Sequence, residues 1–262
     1  MSLIVTIVVN DGIVMASDSR TTQSFTKNGI KHSYPLTDNA NKTFLTNNRF
    51  GVSMCGEAGA NGYPLSSFIQ QFIDSYNYEK DTKVESFANA LCEFLLSLKL
   101  KSDLLLHVAG YEEIDSKFIA FAYRCFIDSK LKSIHVSLES KSQPQIMWDG
   151  QHETINRLVK QQLVFEDFTK LDNLTINNSD GSQKVLHDVF AVESTKSNYF
   201  PAAQIDIGMF TIQDAIDFAR FAIRTTIDTL RFTSTEKTVG GPIDVLVIRP
   251  FEATWINKKE LK

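Results

Sequence analysis

Cysteine, basic charge and long apolar runs are all scarce in this 262-residue sequence. Its three cysteines, Cys55, Cys92 and Cys125, show no C-x-x-C spacing, so neither a disulfide framework nor a zinc site is expected. The 27 basic residues are outnumbered by 31 acidic ones, which argues against a nucleic-acid-binding surface. No apolar run approaches the ~18 residues of a membrane span, and no basic leader precedes the apolar start. We therefore expect a cytoplasmic protein that binds neither nucleic acid nor membrane.

The hydrophobic pattern predicts blocks of strands separated by helices. Apolar stretches on either side of Asn10-Asp11-Gly12 indicate a buried hairpin, because these turn residues accept positive φ at little cost. Strands are expected at 3–9, 13–17, 42–45, 51–55, 104–111, 117–126, 131–138, 145–148 and 243–248, and a loop or irregular hairpin at 23–40. Apolar residues spaced three and four apart predict helices at 65–73, 84–98, 152–164 and 211–230.

The order of these elements predicts the fold class. Because strands occur in blocks and do not alternate with helices, we expect one α+β domain over residues 1–262, with antiparallel sheets covered by helices. The irregular stretch 165–205 reads as an insertion, with one short helix near 183–194.

Common catalytic motifs are missing from the sequence. Residues 51–56 only loosely resemble a G-x-S-x-G elbow, and the glycines at 56–62 have the wrong spacing for a phosphate-binding loop. The five histidines are scattered without H-x-x-x-H spacing, so no metal and no cofactor are expected. Cys55 could be a nucleophile, although a small buried strand residue is the more usual role of such a cysteine.

Five residues could together form a hydrolytic site. Ser2 would become the first residue once the initiator methionine is removed, and its hydroxyl would then have its own α-amine as base. Asp18 and Arg20 end the second strand, and Lys42 begins a later one. Gly56 ends that later strand pair and could offer its N–H to an oxyanion. Taken singly, these residues have ordinary alternatives: an Asp–Arg ion pair, a surface lysine and a turn glycine.

The spacing within this set matches a known family. Ser2 precedes Asp18 by 16 residues, and Lys42 precedes Gly56 by 14. The run at 10–22 reads Asn-Asp-Gly-Ile-Val-Met-Ala-Ser-Asp-Ser-Arg-Thr-Thr. In these features the chain resembles the proteasome β-subunits and the bacterial HslV and Anbu proteins, which are N-terminal nucleophile hydrolases.

A third block extends the resemblance to the other end of the chain. Residues 239–248 read Val-Gly-Gly-Pro-Ile-Asp-Val-Leu-Val-Ile, which is similar to the family's closing Gly-Gly-x-Ile-Asp strand. The resemblance covers residues 1–160 and 205–250. The loop between Asp18 and Lys42 is longer than is usual in the family.

The resemblance implies a fold and a reaction. The fold would be the family's four-layer αββα sandwich, and the reaction would be hydrolysis of a peptide or amide bond. The catalytic residues that it implies are Ser2 as nucleophile, Gly56 as oxyanion donor, and Lys42 held by Asp18 and Arg20.

The resemblance also implies binding and supporting residues. Substrate-binding positions fall on Thr21, Thr22, Ala40, Met54 and Ala58, whose uncharged side chains favour an apolar residue before the cleaved bond. The family's supporting serine falls on Gly150, and its supporting carboxylate falls on Glu236 or Asp228.

The implied partners are a peptide or unfolded-protein substrate, further copies of the chain in a homo-oligomeric ring, and an ATPase. Apolar residues on outer helix faces, such as Phe218 and Phe221, agree with contacts between neighbouring subunits, although they could equally fill a monomer core. Two alternatives stay open: an inactive ring scaffold with the same fold, and a small-molecule amidase of the same superfamily.

Overall fold

The structure is a computed structural model that describes residues 2–47, 49–79, 81–160, 175–177, 180, 182–185 and 205–259. Within these ranges the strands are β1 (Leu3–Val9), β2 (Gly12–Ser17), β3 (Thr21–Lys27), β4 (Ile30–Thr37), β5 (Thr43–Thr46), β6 (Phe50–Gly56), β7 (Gly59–Ala60), β8 (Tyr63–Pro64), β9 (Leu104–Ile114), β10 (Lys117–Asp128), β11 (Ser133–Lys141), β12 (Gln145–Gly150), β13 (Thr175–Asn177), β14 (Gln183–Val185), β15 (Asp244–Ile248) and β16 (Ala253–Asn257). The α-helices are α1 (Leu65–Ser75), α2 (Val84–Ser97), α3 (Glu153–Ile155) and α4 (Ile212–Phe232), with a π-helical turn at Asn156–Lys160 and a 3₁₀ turn at Ile207–Met209.

The chain divides into two compact units, one made of Met1–Thr154 with Asp206–Lys262 and the other of Ile155–Ile205. In the second unit the described residues include an antiparallel pair, β13 with β14. The short helix predicted near 183–194 is therefore wrong at Gln183–Val185, where the chain is a strand. The remainder of that predicted helix lies outside the described residues.

The first sheet is built on the opening hairpin. Its strand order is β12-β1-β2-β15-β16, and each neighbouring pair is antiparallel. Every residue of β1 and β2 is buried, as expected for strands that are apolar on both faces. The register pairs Ile4 with Ser17 across the hairpin, so the start of β1 lies beside the end of β2.

The second sheet has the order β11-β10-β9-β6-β5 and is also antiparallel throughout. It packs face to face on the first sheet through a cluster that includes Met15 and Leu246 of the first sheet and Ala109 and Ala122 of the second. Gly51 lies at this interface, where a Cβ would come within 2.4 Å of the Met15 sulfur.

Helices cover the outer faces of both sheets in the first unit. The apolar stripes of α1 and α2, including Ile69 and Leu91, pack on the second sheet in one cluster. The helix α4 lies against β1 and β2. The first unit is therefore an α+β fold made of antiparallel sheets and helices.

The structure adds detail to two sequence predictions. The loop or irregular hairpin predicted at 23–40 is a bulged hairpin, in which β3 pairs with β4 from Thr21–Thr37 to Lys27–Ile30 with a register shift between Thr21 and Thr22. Within the helix predicted at 152–164, residues 153–160 form the single turn of α3 followed by the π-helical turn, and residues 161–164 lie outside the described part.

Candidate active site

Ser2 lies at the start of β1 and is buried, with 8% of its surface exposed. Its carbonyl oxygen accepts a hydrogen bond from the Gln151 N–H at 2.8 Å. Gly150 has a φ of +100°, and a Cβ at this position would lie 1.8 Å from the same oxygen. The end of β12 can therefore hold the main chain of Ser2 because residue 150 has no side chain.

Asp18 lies just after β2, is fully buried, and binds groups from several parts of the chain. Its Oδ1 accepts the Leu3 N–H at 3.0 Å and the Lys42 ammonium at 2.8 Å. Its Oδ2 accepts the N–H groups of Arg20 and Gly240, both at 3.0 Å. One carboxylate thus connects the residue after the candidate nucleophile with the candidate catalytic lysine.

Lys42 is a buried lysine, not a surface one, with 2% of its surface exposed. Its Nζ donates to Asp18 Oδ1 and, at 2.5 Å, to the Arg20 carbonyl oxygen. Burial lowers the pKa of Lys42, and the neighbouring Asp18 carboxylate opposes part of that effect. An ammonium has three N–H donors, so these two bonds leave one for a group in the adjoining cleft.

The Arg20 side chain pairs with Asp38, which sequence reasoning did not single out. Its Nε and Nη2 donate to the two carboxylate oxygens of Asp38 at 2.6 and 2.8 Å, and Nη1 donates to the Lys237 carbonyl at 3.2 Å. This contact raises the pKa of Arg20 and lowers that of Asp38. The alternative in which Asp18 and Arg20 form a side-chain ion pair is therefore wrong. Arg20 contacts Asp18 through its main-chain N–H and Lys42 through its main-chain carbonyl oxygen.

A narrow cleft lies beside these groups and brings together Ser2, Lys42 and Gly56. Its full lining is Ser2, Thr21, Thr22, Lys42, Met54, Cys55, Gly56, Glu57 and Ala58. Four of the five predicted substrate-binding residues are in this lining. The fifth, Ala40, is not in the lining, and its N–H donates to the Ser19 carbonyl at 2.9 Å.

Gly56 and Glu57 form the rim of the cleft at the end of β6. Gly56 has a φ of +111°, and a Cβ there would lie 2.4 Å from the Asp103 carbonyl oxygen, so the position requires glycine. Glu57 Oε1 accepts the N–H groups of Ala58 and Gly59 at 2.9 and 3.2 Å. The Glu57 carboxylate is therefore bound within its own loop. No sequence pattern pointed to this role of Glu57.

Cys55 also lines the cleft, but its thiol is not an activated nucleophile. The residue is 2% exposed, and burial strongly raises the pKa of the thiol. Because the thiolate is the reactive form, a raised pKa leaves Cys55 as a small packed residue of β6.

The two carboxylates proposed as supports are not in the cleft lining. Asp228 lies on α4 and accepts Arg224 Nε at 2.9 Å, with Arg231 at 3.7 Å, as a surface ion-pair set. The Glu236 carbonyl accepts the Thr238 N–H at 2.9 Å. Gly150 does reach Ser2, although through close main-chain packing and not through a hydroxyl.

A partly buried polar network at the end of β12 was missed by sequence reasoning. His107 Nε2 lies 2.8 Å from Asp149 Oδ2, and His107 Nδ1 lies 2.9 Å from Thr6 Oγ1. Arg124 Nε donates to the same Asp149 oxygen at 2.7 Å. Asp149 directly precedes Gly150 at the end of β12, so the network fixes the strand end that holds Ser2. The residues come from four strands, and no spacing along the chain could have revealed them.

Burial and the contacts among these groups together set the protonation states in this network. Burial lowers the pKa of His107, against the Asp149 carboxylate, which raises it. A neutral His107 then donates through Nε2 to Asp149 and accepts the Thr6 hydroxyl proton at Nδ1. Although burial raises the pKa of Asp149, its contacts with His107 and Arg124 outweigh burial, and the pKa is lowered.

In the part of the chain that the structure describes, no group of three or more His, Cys, Asp or Glu side chains could hold a metal ion. None of the helices described is both long enough and apolar enough to cross a membrane. In the comparisons with known proteins, no family model and no curated protein matches the chain.

Proposed function

We propose that the protein is an N-terminal nucleophile hydrolase that cleaves peptide or amide bonds with Ser2 as nucleophile. The observation that carries this proposal is the convergence of Ser2, Lys42 and Gly56 on one narrow cleft. Asp18 supports it from behind, because it binds the Lys42 ammonium and the Leu3 N–H with one oxygen.

The arrangement of layers supports the same class of enzyme. In the first unit α4 lies on β1 and β2, the two sheets pack face to face, and α1 and α2 pack on the second sheet. We assign this arrangement to the four-layer αββα sandwich of the N-terminal nucleophile hydrolases.

Before catalysis, cleavage of the peptide bond that precedes Ser2 frees the α-amine of Ser2. Ser2 Oγ then attacks the substrate carbonyl, and the Ser2 α-amine, with an ordinary pKa of about 8, takes the hydroxyl proton. When the resulting oxyanion collapses, the substrate's own amine leaves with that proton and an ester remains on Ser2. Water hydrolyses the ester, releases the acid and restores the hydroxyl.

Lys42 and Gly56 stabilise the charges that develop in these steps. The Lys42 ammonium, held by Asp18 and the Arg20 carbonyl, favours a partly deprotonated Ser2 Oγ. The Gly56 N–H stabilises the oxyanion, and loss of one such donor typically costs about 10²–10³ in rate.

The substrate is an extended polypeptide with an apolar residue before the cleaved bond. Thr21, Met54 and Ala58 line the cleft with uncharged side chains, which suit an apolar group better than a charged one. Thr22, Gly56 and Ala58 can pair with the substrate main chain as an added strand. We further propose that the protein works in the cytoplasm as a homo-oligomer that shields this cleft.

Turnover of fluorogenic peptide amides with an apolar residue before the cleaved bond tests the proposal. Ser2→Ala should abolish hydrolysis, whereas Ser2→Thr, which keeps a hydroxyl and an α-amine, should retain it. Hydrolysis by Ser2→Ala at the wild-type rate would refute the assignment of the nucleophile. A wild-type protein that cleaves acyl amides but no peptide would instead identify the small-molecule amidase.

A further inference from the structure

The hairpin of β3 and β4 presents an exposed aromatic face next to the cleft. Phe25 and Tyr34 are 47% and 43% exposed, and their rings meet edge to face with centroids 6.1 Å apart. The Tyr34 hydroxyl donates to Gln23 Oε1 at 2.9 Å, which places these three side chains on one face. Leu36, at the bulge of β4, is 59% exposed. Exposed apolar groups on one surface commonly bind a partner.

The same hairpin is continuous with the wall of the cleft. Thr21 and Thr22, the first residues of β3, line the cleft beside Ser2. Among the described residues, β3 pairs along one edge with β4 and has no strand partner along the other. Phe25 lies three residues beyond Thr22, which is about 10 Å along an extended strand. A polypeptide paired with Thr22 therefore reaches Phe25 without a change of direction.

Thr22 carries a second indication of a missing partner. In the described part of the chain, its Oγ1 is buried and has no hydrogen-bond partner. A buried polar atom without a partner is costly, so such atoms call for an explanation. Thr46 Oγ1 and Tyr78 OH are also buried, but these two groups interact with each other and are not in the cleft lining. A main-chain amide of an incoming strand would satisfy the Thr22 hydroxyl.

We propose that the exposed face of the β3–β4 hairpin is a docking surface for extended polypeptide, continuous with the cleft at Thr22. The occupant is the part of the substrate chain that lies beyond the residue bound in the cleft. Phe25 and Tyr34 would contact apolar side chains about three to four residues away from the cleaved bond. The inference rests on the proposed function, and it selects polypeptides over small amides as substrates.

Binding of labelled peptides to the Ser2→Ala protein tests the surface without turnover. Fluorescence anisotropy would follow a series with one fixed cleft-binding residue, lengthened from about three residues to about seven. We expect Kd to fall about tenfold along the series, the equivalent of 1.4 kcal/mol. Phe25→Ser should remove most of that gain and leave the shortest peptide unaffected. Phe251→Ser is the matched control, because Phe251 is 84% exposed and contacts the Phe118 ring away from the hairpin.

Thr22→Val, which keeps the shape and loses the hydroxyl, should weaken binding of every peptide by about threefold to tenfold, the range of one neutral hydrogen bond. Thr22→Ser should bind like the parent. A Kd that does not depend on peptide length, or equal effects of Phe25→Ser and Phe251→Ser, would overturn the docking surface. A change of oligomeric state in Phe25→Ser would overturn it too, because a second copy would then cover the face.

The proposed function fails separately from this inference. If wild-type protein hydrolyses nothing while the Ser2→Ala protein still binds longer peptides more tightly, the docking surface is supported and the hydrolase assignment is wrong. If short amides turn over and length has no effect on binding, the hydrolase assignment stands and the docking surface is wrong.

Discussion

At the residue scale, the site is organised by one carboxylate. Asp18 accepts four donors, three from the main chain and one from Lys42. Backbone N–H groups hold the carboxylate in place even when the lysine is replaced. Burying the Lys42 ammonium is costly, because it removes the charge from water. Its presence therefore calls for a role beyond packing.

We predict that Lys42→Met lowers kcat/KM by at least about 10², because the charge that stabilises Ser2 Oγ is lost. Removal of one partner of a buried pair also destabilises the protein, by roughly 1–3 kcal/mol where, as here, backbone donors still satisfy the remaining carboxylate. Steady-state kinetics on a peptide amide, at a temperature where urea titration shows the variant folded, is the measurement. Wild-type kcat/KM in folded Lys42→Met would contradict the role.

His107 makes stability depend on pH. Burial lowers its pKa in the folded protein, so between that lowered pKa and about 6.5, the unfolded value, the unfolded chain binds the extra proton. The free energy of unfolding should therefore fall as pH drops below about 6.5. The charges of Asp149 and Glu139 raise the pKa of His107 and that of Arg124 lowers it, but burial has the largest effect. The lowered pKa of Asp149 adds a loss of stability only at more acidic pH, below about 4.

His107→Gln should remove most of this dependence between about pH 7 and pH 5, while lowering stability at pH 7 by about 1–3 kcal/mol through the lost hydrogen bonds. Urea unfolding at both pH values measures it. His135→Gln is the control, since His135 is an exposed residue of β11. Equal pH dependence in the wild-type protein and His107→Gln would show that the buried ring does not titrate as described.

The residues that could be predicted from the sequence are those fixed by spacing along single strands. Asp18, Lys42 and Gly56 end or begin strands at positions where the hydrophobic pattern stops, and the structure brings them to one site. Asp38 and Asp149 could not be predicted, because Arg20 reaches Asp38 only once the β3–β4 hairpin has formed, and His107 of the second sheet reaches Asp149 of the first only once the two sheets have packed.

At the scale of elements, the contact between the end of β12 and the start of β1 decides where Ser2 sits. The register pairs Leu3 with Gly150, and the chain after β12 turns back so that the Gln151 N–H meets the Ser2 carbonyl. This close approach is possible because Gly150 combines a positive φ with the absence of a Cβ.

We predict that Gly150→Ala displaces Ser2 and lowers kcat by at least about tenfold, the effect of roughly 1.4 kcal/mol on the barrier. A matched control is Gly62→Ala: Gly62 also has a positive φ, +84°, but a Cβ there meets no atom within 4 Å. Gly62→Ala should cost only about 1 kcal/mol of backbone strain and keep kcat. Equal kcat in the two variants would contradict the positioning role of Gly150.

Element boundaries followed the sequence where the apolar pattern was long, and the pattern left two structures open where polar residues form strands. The hairpin of β3 and β4 is rich in Thr, Ser and Lys and carries Pro35, so its pattern did not distinguish a strand from a loop. Cross-strand contacts such as Ser24 with Ser33 and Gln23 with Tyr34 favour the strand, and these exist only after pairing.

At the scale of the whole molecule, the surface of α4 bears on assembly. Phe221 is 50% exposed and continues a row of rings with Phe218 and Phe210, at centroid distances of 6.2 and 5.9 Å. Phe232, at the end of the helix, is 86% exposed. In a homo-oligomer that encloses the cleft, a second copy would cover these residues.

We predict that multi-angle light scattering finds an oligomer at micromolar concentration and that Phe221→Asp shifts it toward monomer, because a buried unpaired charge typically costs several kcal/mol. Leu131→Asp, at a 77% exposed turn position, should leave the oligomer intact. A wild-type monomer whose mass does not rise with concentration would rule out the ring.

The proposed base is the α-amine of Ser2, and an amide at that nitrogen would block it. The decisive measurement is mass spectrometry, intact and after peptide mapping, on protein purified from its own host and exposed to a peptidyl β-lactone, a strained ester that acylates an activated hydroxyl. We predict a mature chain that begins at Ser2 and carries one acyl group on that residue. Ser2 found unacylated and still joined to a preceding residue in all of the protein would contradict the central claim.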